Sequence, residues 1–230
     1  MNITTTTTSV TTDPQLPQQR GEPLTGQMVD HAVRYAGERH WDVFPGAWLE
    51  YEGGVPRCSC GEADCEAPGA HPVEEDWAAQ ATGSVTVVRR MWSEHPQASV
   101  LLPVGRTFDV IEVPETTGCL ALARMERMEV QLGPVVSTPD GRMFFFVLPG
   151  VAAKVPGLVR QLGWSPDGLG MTPRGEGDWL AAPPSRLGTR GPVLWVREPT
   201  AANRWLPDAE EIVPPLAYAC GRDAAAARER

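Results

Sequence analysis

Apolar residues recur at helical spacing in five stretches of the chain. In the first, the apolar positions from Met28 to Ala36 follow Thr25, a residue type that caps helix N-termini, and they predict a helix over residues 26–39. A second helix is predicted to begin after Ser84 and to end before Pro96. Three further helices are predicted over residues 118–130, 155–162 and 208–219.

Short apolar runs between these helices predict strands. Two of them, residues 99–104 and 107–113, are separated by Gly105 and Arg106 at a turn. The others are residues 41–45, 135–138, 142–148, 179–182 and 192–196. Helices and strands in this order predict an α+β fold with a mixed sheet flanked by helices, and 230 residues suffice for one such domain.

The two ends of the chain predict tails around this domain. Residues 1–24 are rich in Thr, Pro and Gln, a composition that buries too little apolar surface to offset the entropy lost on ordering. We therefore expect a disordered tail over residues 1–24, a domain over residues 25–220 and a flexible tail over residues 221–230. The sequence has no signal-peptide pattern and no long apolar run, so we expect a cytoplasmic protein with no membrane partner.

Charge narrows the candidate functions. The net charge is −9, and residues 50–76 alone contribute −7. No half of the chain forms a basic surface, which argues against strong non-specific binding to nucleic acid. The acidic segment 50–76 suits a basic protein partner, or it serves solubility alone. The 19 Arg against one Lys indicate a GC-rich genome.

Three cysteines and one histidine cluster inside this acidic segment, in a loop over residues 51–72. They are Cys58, Cys60, Cys65 and His71. Three thiols and one imidazole match the ligand number and type of a tetrahedral structural zinc site, with no position open for catalysis. Metal binding would supply folding energy to a loop that holds little apolar material. The alternative is an exposed loop with reduced thiols.

Six further segments form an ordered set with this loop. They are residues 31–36 (His-Ala-Val-Arg-Tyr-Ala), 43–45 (Val-Phe-Pro), 85–96, 108–114, 138–146 and 175–185, the last ending in Ala-Pro-Pro-Ser. The set resembles the N-terminal domain of the bifunctional DNA primase/polymerases, a family found in archaeal plasmids, phages and actinobacteria. The resemblance covers about residues 28–197. It implies an archaeo-eukaryotic primase-like domain with an inserted zinc loop.

The resemblance also implies where a catalytic site would lie. In the family, an Asp-x-Asp, a His and a further Asp serve a two-metal reaction in which the ions clamp the attacking and leaving oxygens. In this sequence the Asp-x-Asp falls on Glu112 and Pro114. The His falls near Met143 or Phe144, and the last Asp falls on Thr172. Only Glu112 keeps a carboxylate, which implies a degenerate member with Glu112 as a residual catalytic residue.

Other residues are candidates to replace or complete this site. Asp109 lies three residues from Glu112, and this odd spacing predicts opposite faces of a strand. Glu115 and Asp140 are the remaining carboxylates for an atypical metal site. One ring of the Phe run 144–146 is a candidate for stacking on a base, and core packing is the alternative. Segments that border the family's nucleotide cleft contribute the phosphate-contact candidates Arg142, Arg174 and Arg186.

Three functions remain open. The first, which the missing carboxylates favour, is a primase/polymerase-like domain that has lost nucleotidyl transfer and binds a nucleotide, single-stranded or primer-template DNA, or a regulatory protein partner. The second is an active DNA primase/polymerase with an atypical site around Glu112, which would need Mg²⁺ or Mn²⁺. The third is a zinc-loop module for protein interaction, without a link to nucleotides. We expect structural zinc, and enzymatic activity stays open.

Overall fold

The computed structural model describes residues 25–228, where helices and short strands follow one another. The helical elements are α1 (Thr25–Arg39), α2 (Trp77–Gln80), α3 (Val85–Glu94), α4 (Glu115–Arg127), α5 (Val151–Gln161) and α6 (Ala209–Arg228), with 3₁₀ turns at Gly188–Arg190 and Ala201–Asn203. The first six strands are β1 (Phe44–Gly46), β2 (Leu49–Glu52), β3 (Val55–Cys58), β4 (Ser99–Pro103), β5 (Asp109–Pro114) and β6 (Val135–Thr138). The others are β7 (Arg142–Val147), β8 (Thr172–Arg174), β9 (Trp179–Ala182), β10 (Arg186–Leu187), β11 (Gly191–Pro192) and β12 (Leu194–Arg197).

The strands form two main sheets, and the α+β fold class is confirmed. The larger sheet has the order β12-β6-β7-β5-β8, and the smaller has the order β1-β4-β9. Two small pairs, β2-β3 and β10-β11, complete the described strands. The sequence predicts one mixed sheet, whereas every named pairing in residues 25–228 is antiparallel. Apolar patterns locate a strand, but they carry no information on its direction or its partner, which explains the difference.

A hydrophobic core lies on each face of the larger sheet. On one face Ile111 and Phe145 pack with residues of α4, α5 and α6. On the other face Val110 and Phe146 pack with residues of α1, α3 and the smaller sheet. Neighbouring residues of β5 and β7 thus enter different cores, because side chains alternate along a strand. The Phe run is therefore core at two of its three positions, and Phe144 is half-buried.

Several element boundaries differ from the sequence predictions. Helix α5 begins at Val151, four residues early, because the carboxylate of Asp109 accepts hydrogen bonds from the N–H groups of Gly150 (2.7 Å) and Val151 (2.9 Å). Asp109 is 41 residues from Gly150 in sequence, so the residues near α5 contain no signal for this cap. Helix α6 runs on to Arg228, past the predicted end at residue 219. Part of the predicted loop forms the β2-β3 hairpin.

The Ala-Pro-Pro-Ser segment after β9 joins distant parts of the fold. The hydroxyl of Tyr35 in α1 donates to the carbonyl of Pro183 (2.6 Å) and accepts from the indole N–H of Trp195 (3.0 Å). Burial raises the pKa of Tyr35, so this hydroxyl keeps its proton. The Ser185 hydroxyl accepts from the backbone N–H of Val100 (2.9 Å) and donates to its carbonyl (3.2 Å). The segment therefore holds α1, β4 and β12 together.

Candidate functional site

Three positions that the resemblance assigns to the catalytic site lie side by side on the larger sheet, if the His position is taken at Phe144, since Met143 is buried in the core on the other face. Glu112 of β5 is directly opposite Phe144 of β7 and directly opposite Thr172 of β8. Directly opposed residues of antiparallel strands point to the same face. Pro114, two residues along β5, shares that face. The register thus brings together the positions that the resemblance assigns to the catalytic site, although only one of them carries a carboxylate.

Two arginines hold the Glu112 carboxylate. The Nε of Arg142 donates to Oε1 of Glu112 over 2.6 Å. On the other side, the Nε and Nη2 of Arg174 lie 2.8 Å and 2.7 Å from Oε2. The Glu112 side chain is only 10% exposed, so these hydrogen bonds are shielded from water. We call this arrangement the Glu112 clamp, made of Glu112, Arg142 and Arg174.

The clamp leaves the carboxylate poorly placed to hold a divalent cation. Asp178 adds a weaker contact to Arg174, at 3.4 Å. Burial alone would lower the pKa of Arg174, but hydrogen bonds and charge from Glu112 and Asp178 raise it, so Arg174 stays charged. An arriving Mg²⁺ would face two guanidinium groups and would have to displace both from the carboxylate of Glu112.

The other candidate carboxylates lie elsewhere. Asp109 is on the opposite face of β5, as its spacing predicts, and caps α5 there. Glu115 accepts a hydrogen bond from Ser137 (2.7 Å), a residue of β6 that pairs with Met143 and therefore faces away from the clamp. Asp140 is exposed at the β6-β7 turn, where it borders a cleft.

This cleft, of about 250 Å³, lies next to the clamp and between the two main sheets. Phe144 and Arg174 line it from the larger sheet, and Trp179 lines it from β9 of the smaller one. Ala67 and Ala70 of the Cys/His loop close another side. Phe144 and Trp179 are both half-buried, and each lines the cleft while it packs against the core on this face of the larger sheet.

The structure separates the three arginine candidates. Arg142 and Arg174 meet at the Glu112 clamp, 30 and 62 residues from Glu112 in sequence. Arg186 lines a different cavity, which shares no lining residue with the cleft. The even spacing of Arg142 from Phe144 and of Arg174 from Thr172 was the signal for one shared face, but only the strand register reveals the contact.

The four predicted zinc ligands meet in one place. Their ligand atoms, three thiol sulfurs and one imidazole nitrogen, all lie within 4.8 Å of one another. Ligand atoms in a tetrahedral zinc site with Zn–S bonds of about 2.3 Å are separated by about 3.7 Å, so small side-chain shifts complete the site. The ligand residues are Cys58, Cys60, Cys65 and His71. This group could hold structural zinc.

Hydrogen bonds orient the His71 ring and favour a thiolate at Cys58, and both effects favour metal binding by the four ligands. The Nδ1–H of His71 donates to the carbonyl of Pro72 (2.6 Å), which leaves Nε2 as the free lone pair, 3.3 Å from the Cys58 sulfur. Burial alone would raise the pKa of Cys58, but the backbone N–H groups of Cys60 and Gly69 and the neighbouring side chains lower it to about 7. Burial raises the pKa of Cys65 to about 12. One thiolate is thus favoured before a metal binds.

Comparison with known protein families agrees with this geometry. A family model described as bifunctional DNA primase/polymerase, N-terminal, matches residues 32–208, more than half of the chain. The chain belongs to this family. The match confirms the resemblance and extends it about ten residues beyond the predicted limit of residue 197. Searches of curated proteins and of solved structures return no significant match.

Membership of the primase/polymerase family connects the domain with nucleotidyl transfer and with nucleic-acid or nucleotide binding. Glu112, the position to which the resemblance assigns a catalytic carboxylate, lies in the clamp, and the cleft lies beside it. Within residues 25–228, no helix has both the length and the hydrophobicity to cross a bilayer.

Proposed function

We propose that this domain binds a nucleotide or the end of a nucleic-acid strand beside the Glu112 clamp and does not transfer nucleotidyl groups. The observation that carries the proposal is the saturation of Glu112. Both of its oxygens accept hydrogen bonds from charged guanidinium groups at 2.6–2.8 Å. In a two-metal reaction the carboxylate at this position must be free to coordinate the divalent ions.

The neighbouring positions support a loss of catalysis. Pro114 has no side-chain ligand atom. Of the two candidates for the His position, Phe144 offers only a ring, and Met143 is buried in the core on the other face. Thr172 contributes at most a neutral hydroxyl, which binds Mg²⁺ less strongly than a carboxylate does. Asp109 and Glu115 are on the other face. The second carboxylate near the clamp, Asp178, is engaged by Arg174 (3.4 Å) and by the backbone N–H of Gly175 (3.0 Å).

Residues of the cleft can bind a nucleotide even where catalysis is lost. A phosphate is a better partner than a cation for the outer N–H groups of Arg174, the clamp arginine that lines the cleft, since a guanidinium matches phosphate oxygens bidentately. The rings of Phe144 and Trp179 can stack on a base, which contributes about 1–3 kcal/mol where it occurs. A volume of about 250 Å³ has room for a nucleobase, since an apolar cavity of roughly 150 Å³ already holds benzene.

The test combines activity and binding on the zinc-loaded full chain. We expect no product in primer-synthesis and primer-extension assays with Mg²⁺ or Mn²⁺. A fluorescent dATP analogue and a fluorescein-labelled single-stranded oligonucleotide bind even in the presence of EDTA. Phe144→Ala and Arg174→Gln weaken this binding about tenfold, whereas Arg89→Gln, an exposed charge-matched control on α3, leaves it unchanged.

Two results would contradict the proposal. Product that disappears in Glu112→Ala would identify an active DNA primase/polymerase with a rebuilt metal site. Binding of neither probe would remove the nucleotide function and leave the acidic segment 50–76 and its zinc loop as the surface to examine with basic proteins.

A further inference from the structure

A second cavity, also of about 250 Å³, lies between α1, the β2-β3 hairpin and the start of β4. Its apolar walls come from Met28 of α1 and from Trp48, Leu49 and Tyr51 at the hairpin. An apolar cavity of roughly 150 Å³ is large enough to hold benzene. This cavity therefore has room for a larger apolar body, and it is separate from the nucleotide cleft.

Arg186 is the one charged residue that lines this cavity. It is half-buried in β10, and its guanidinium makes neither a hydrogen bond nor an ion pair with the rest of the described chain. An unpaired, partly desolvated guanidinium attracts an anion, and its fork matches a carboxylate. In a protein with a net charge of −9, acidic side chains are abundant, yet none is placed against it.

Ser99 adds a second polar group without a partner. Its hydroxyl is buried, lies among the residues that line the cavity and has no hydrogen-bond partner within the described residues. Buried hydroxyls are normally paired, so an unpaired one indicates a missing acceptor or donor. The hydrogen bond between the Ser185 hydroxyl and the N–H of Val100 joins the residues next to Arg186 and Ser99, so these two lining residues belong to neighbouring segments of the chain.

We propose that this cavity binds a small organic anion, with a carboxylate at Arg186 and Ser99 and an apolar body against Trp48 and Leu49. Ligand cavities of proteins typically combine apolar walls with a few convergent polar groups, as this one does. The site does not depend on the nucleotide function, because the two cavities have no lining residue in common.

The test uses two probes that share a ring system and differ in charge. We expect naphthalene-1-acetate to bind the zinc-loaded full chain with 1:1 stoichiometry in isothermal titration calorimetry. Naphthalene-1-methanol, which lacks the carboxylate, binds at least about tenfold more weakly. Arg186→Gln reduces the affinity for the acid to that for the alcohol, and Arg186→Lys retains most of it. Arg89→Gln, the exposed charge-matched control, binds the acid as the unmodified chain does.

Other results would overturn the proposal. Equal affinities for the acid and the alcohol, or no binding of the acid, would show that the arginine does not recognise a carboxylate. Binding that survives Arg186→Gln but falls in Arg174→Gln would place the acid in the nucleotide cleft. Circular dichroism of each variant confirms its fold, and Leu49→Trp, which fills the cavity from the hairpin, must also abolish binding of the acid.

Discussion

The Nε of Arg142 lies 2.6 Å from Oε1 of Glu112, across the pairing of β5 with β7. The two residues are not directly opposed, because Arg142 is opposite Pro114 and Glu112 is opposite Phe144. The contact is therefore diagonal, and it needs a side chain as long as arginine to span it. An arginine thus occupies space beside the carboxylate that a metal ion would need.

The clamp predicts an unusual gain of function on removing its carboxylate. In Glu112→Gln both guanidinium groups lose a competing anion, so we expect the affinity for the fluorescent dATP analogue to rise about tenfold in EDTA. A tenfold change in affinity corresponds to a binding free energy of about 1.4 kcal/mol. This is a fraction of the Coulomb energy of roughly 4 kcal/mol between two unit charges that are 4 Å apart near a protein surface. The free energy of unfolding falls by about 1–2 kcal/mol, less than for a fully buried pair, because water screens the more exposed Arg174.

Glu115→Gln is the matched control for this change. Glu115 carries the same charge but contacts Ser137 on the other side of the sheet. We expect it to leave the affinity for the dATP analogue unchanged. If both variants bind the analogue equally well, net charge rather than the clamp governs binding.

The zinc loop predicts a link between metal content and the cleft. We expect one zinc per chain by elemental analysis, and Cys65→Ser or a strong chelator removes it. Because Ala67 and Ala70 line the cleft, zinc loss weakens binding of the dATP analogue. The melting temperature falls by about 5–10 °C, equivalent to about 2–3 kcal/mol for a domain of this size.

Cys119→Ser controls for the loss of a thiol. Cys119 is exposed on α4, away from the loop, so this variant keeps its zinc and its melting temperature. Stoichiometric zinc in Cys65→Ser would exclude Cys65 as a ligand. Far-UV circular dichroism stays close to that of the loaded protein, since the two cores consist mainly of residues outside the loop.

Local and ordered signals in the sequence predict much of this molecule. The zinc ligands lie within fourteen positions, so their spacing alone predicts the cluster that the structure assembles. The order of motifs predicts the family, and strand alternation predicts that Asp109 and Glu112 face opposite ways. The sequence could not predict the clamp, because the clamp depends on the register of three strands that are far apart in sequence. The same holds for the cap that Asp109 provides to α5.

The Ala-Pro-Pro-Ser segment predicts a structural role for Tyr35. Tyr35→Phe removes a buried hydroxyl and leaves both the Pro183 carbonyl and the Trp195 N–H without their partner. We expect the free energy of unfolding to fall by about 1–3 kcal/mol, seen as a lower urea midpoint at an unchanged m-value. Tyr218→Phe, at an exposed position of α6, changes the midpoint little. Equal effects of the two substitutions would exclude the buried hydrogen bonds as the cause.

Two helical glycines, Gly221 in α6 and Gly157 in α5, are predicted to respond in opposite ways to substitution by alanine. Gly221 is buried in α6, beyond the domain limit expected at residue 220, and a Cβ there would lie 2.5 Å from the ring of Trp164. Gly157 is in α5, where an added Cβ meets nothing within 4 Å. Alanine in a helix interior is normally favoured over glycine by about 1 kcal/mol, so Gly157→Ala raises the free energy of unfolding. Gly221→Ala lowers it by about 1–3 kcal/mol, because the rigid indole ring must move. Thermal unfolding of both variants decides the matter: a stabilised Gly221→Ala would mean that residues 221–228 do not pack on the domain.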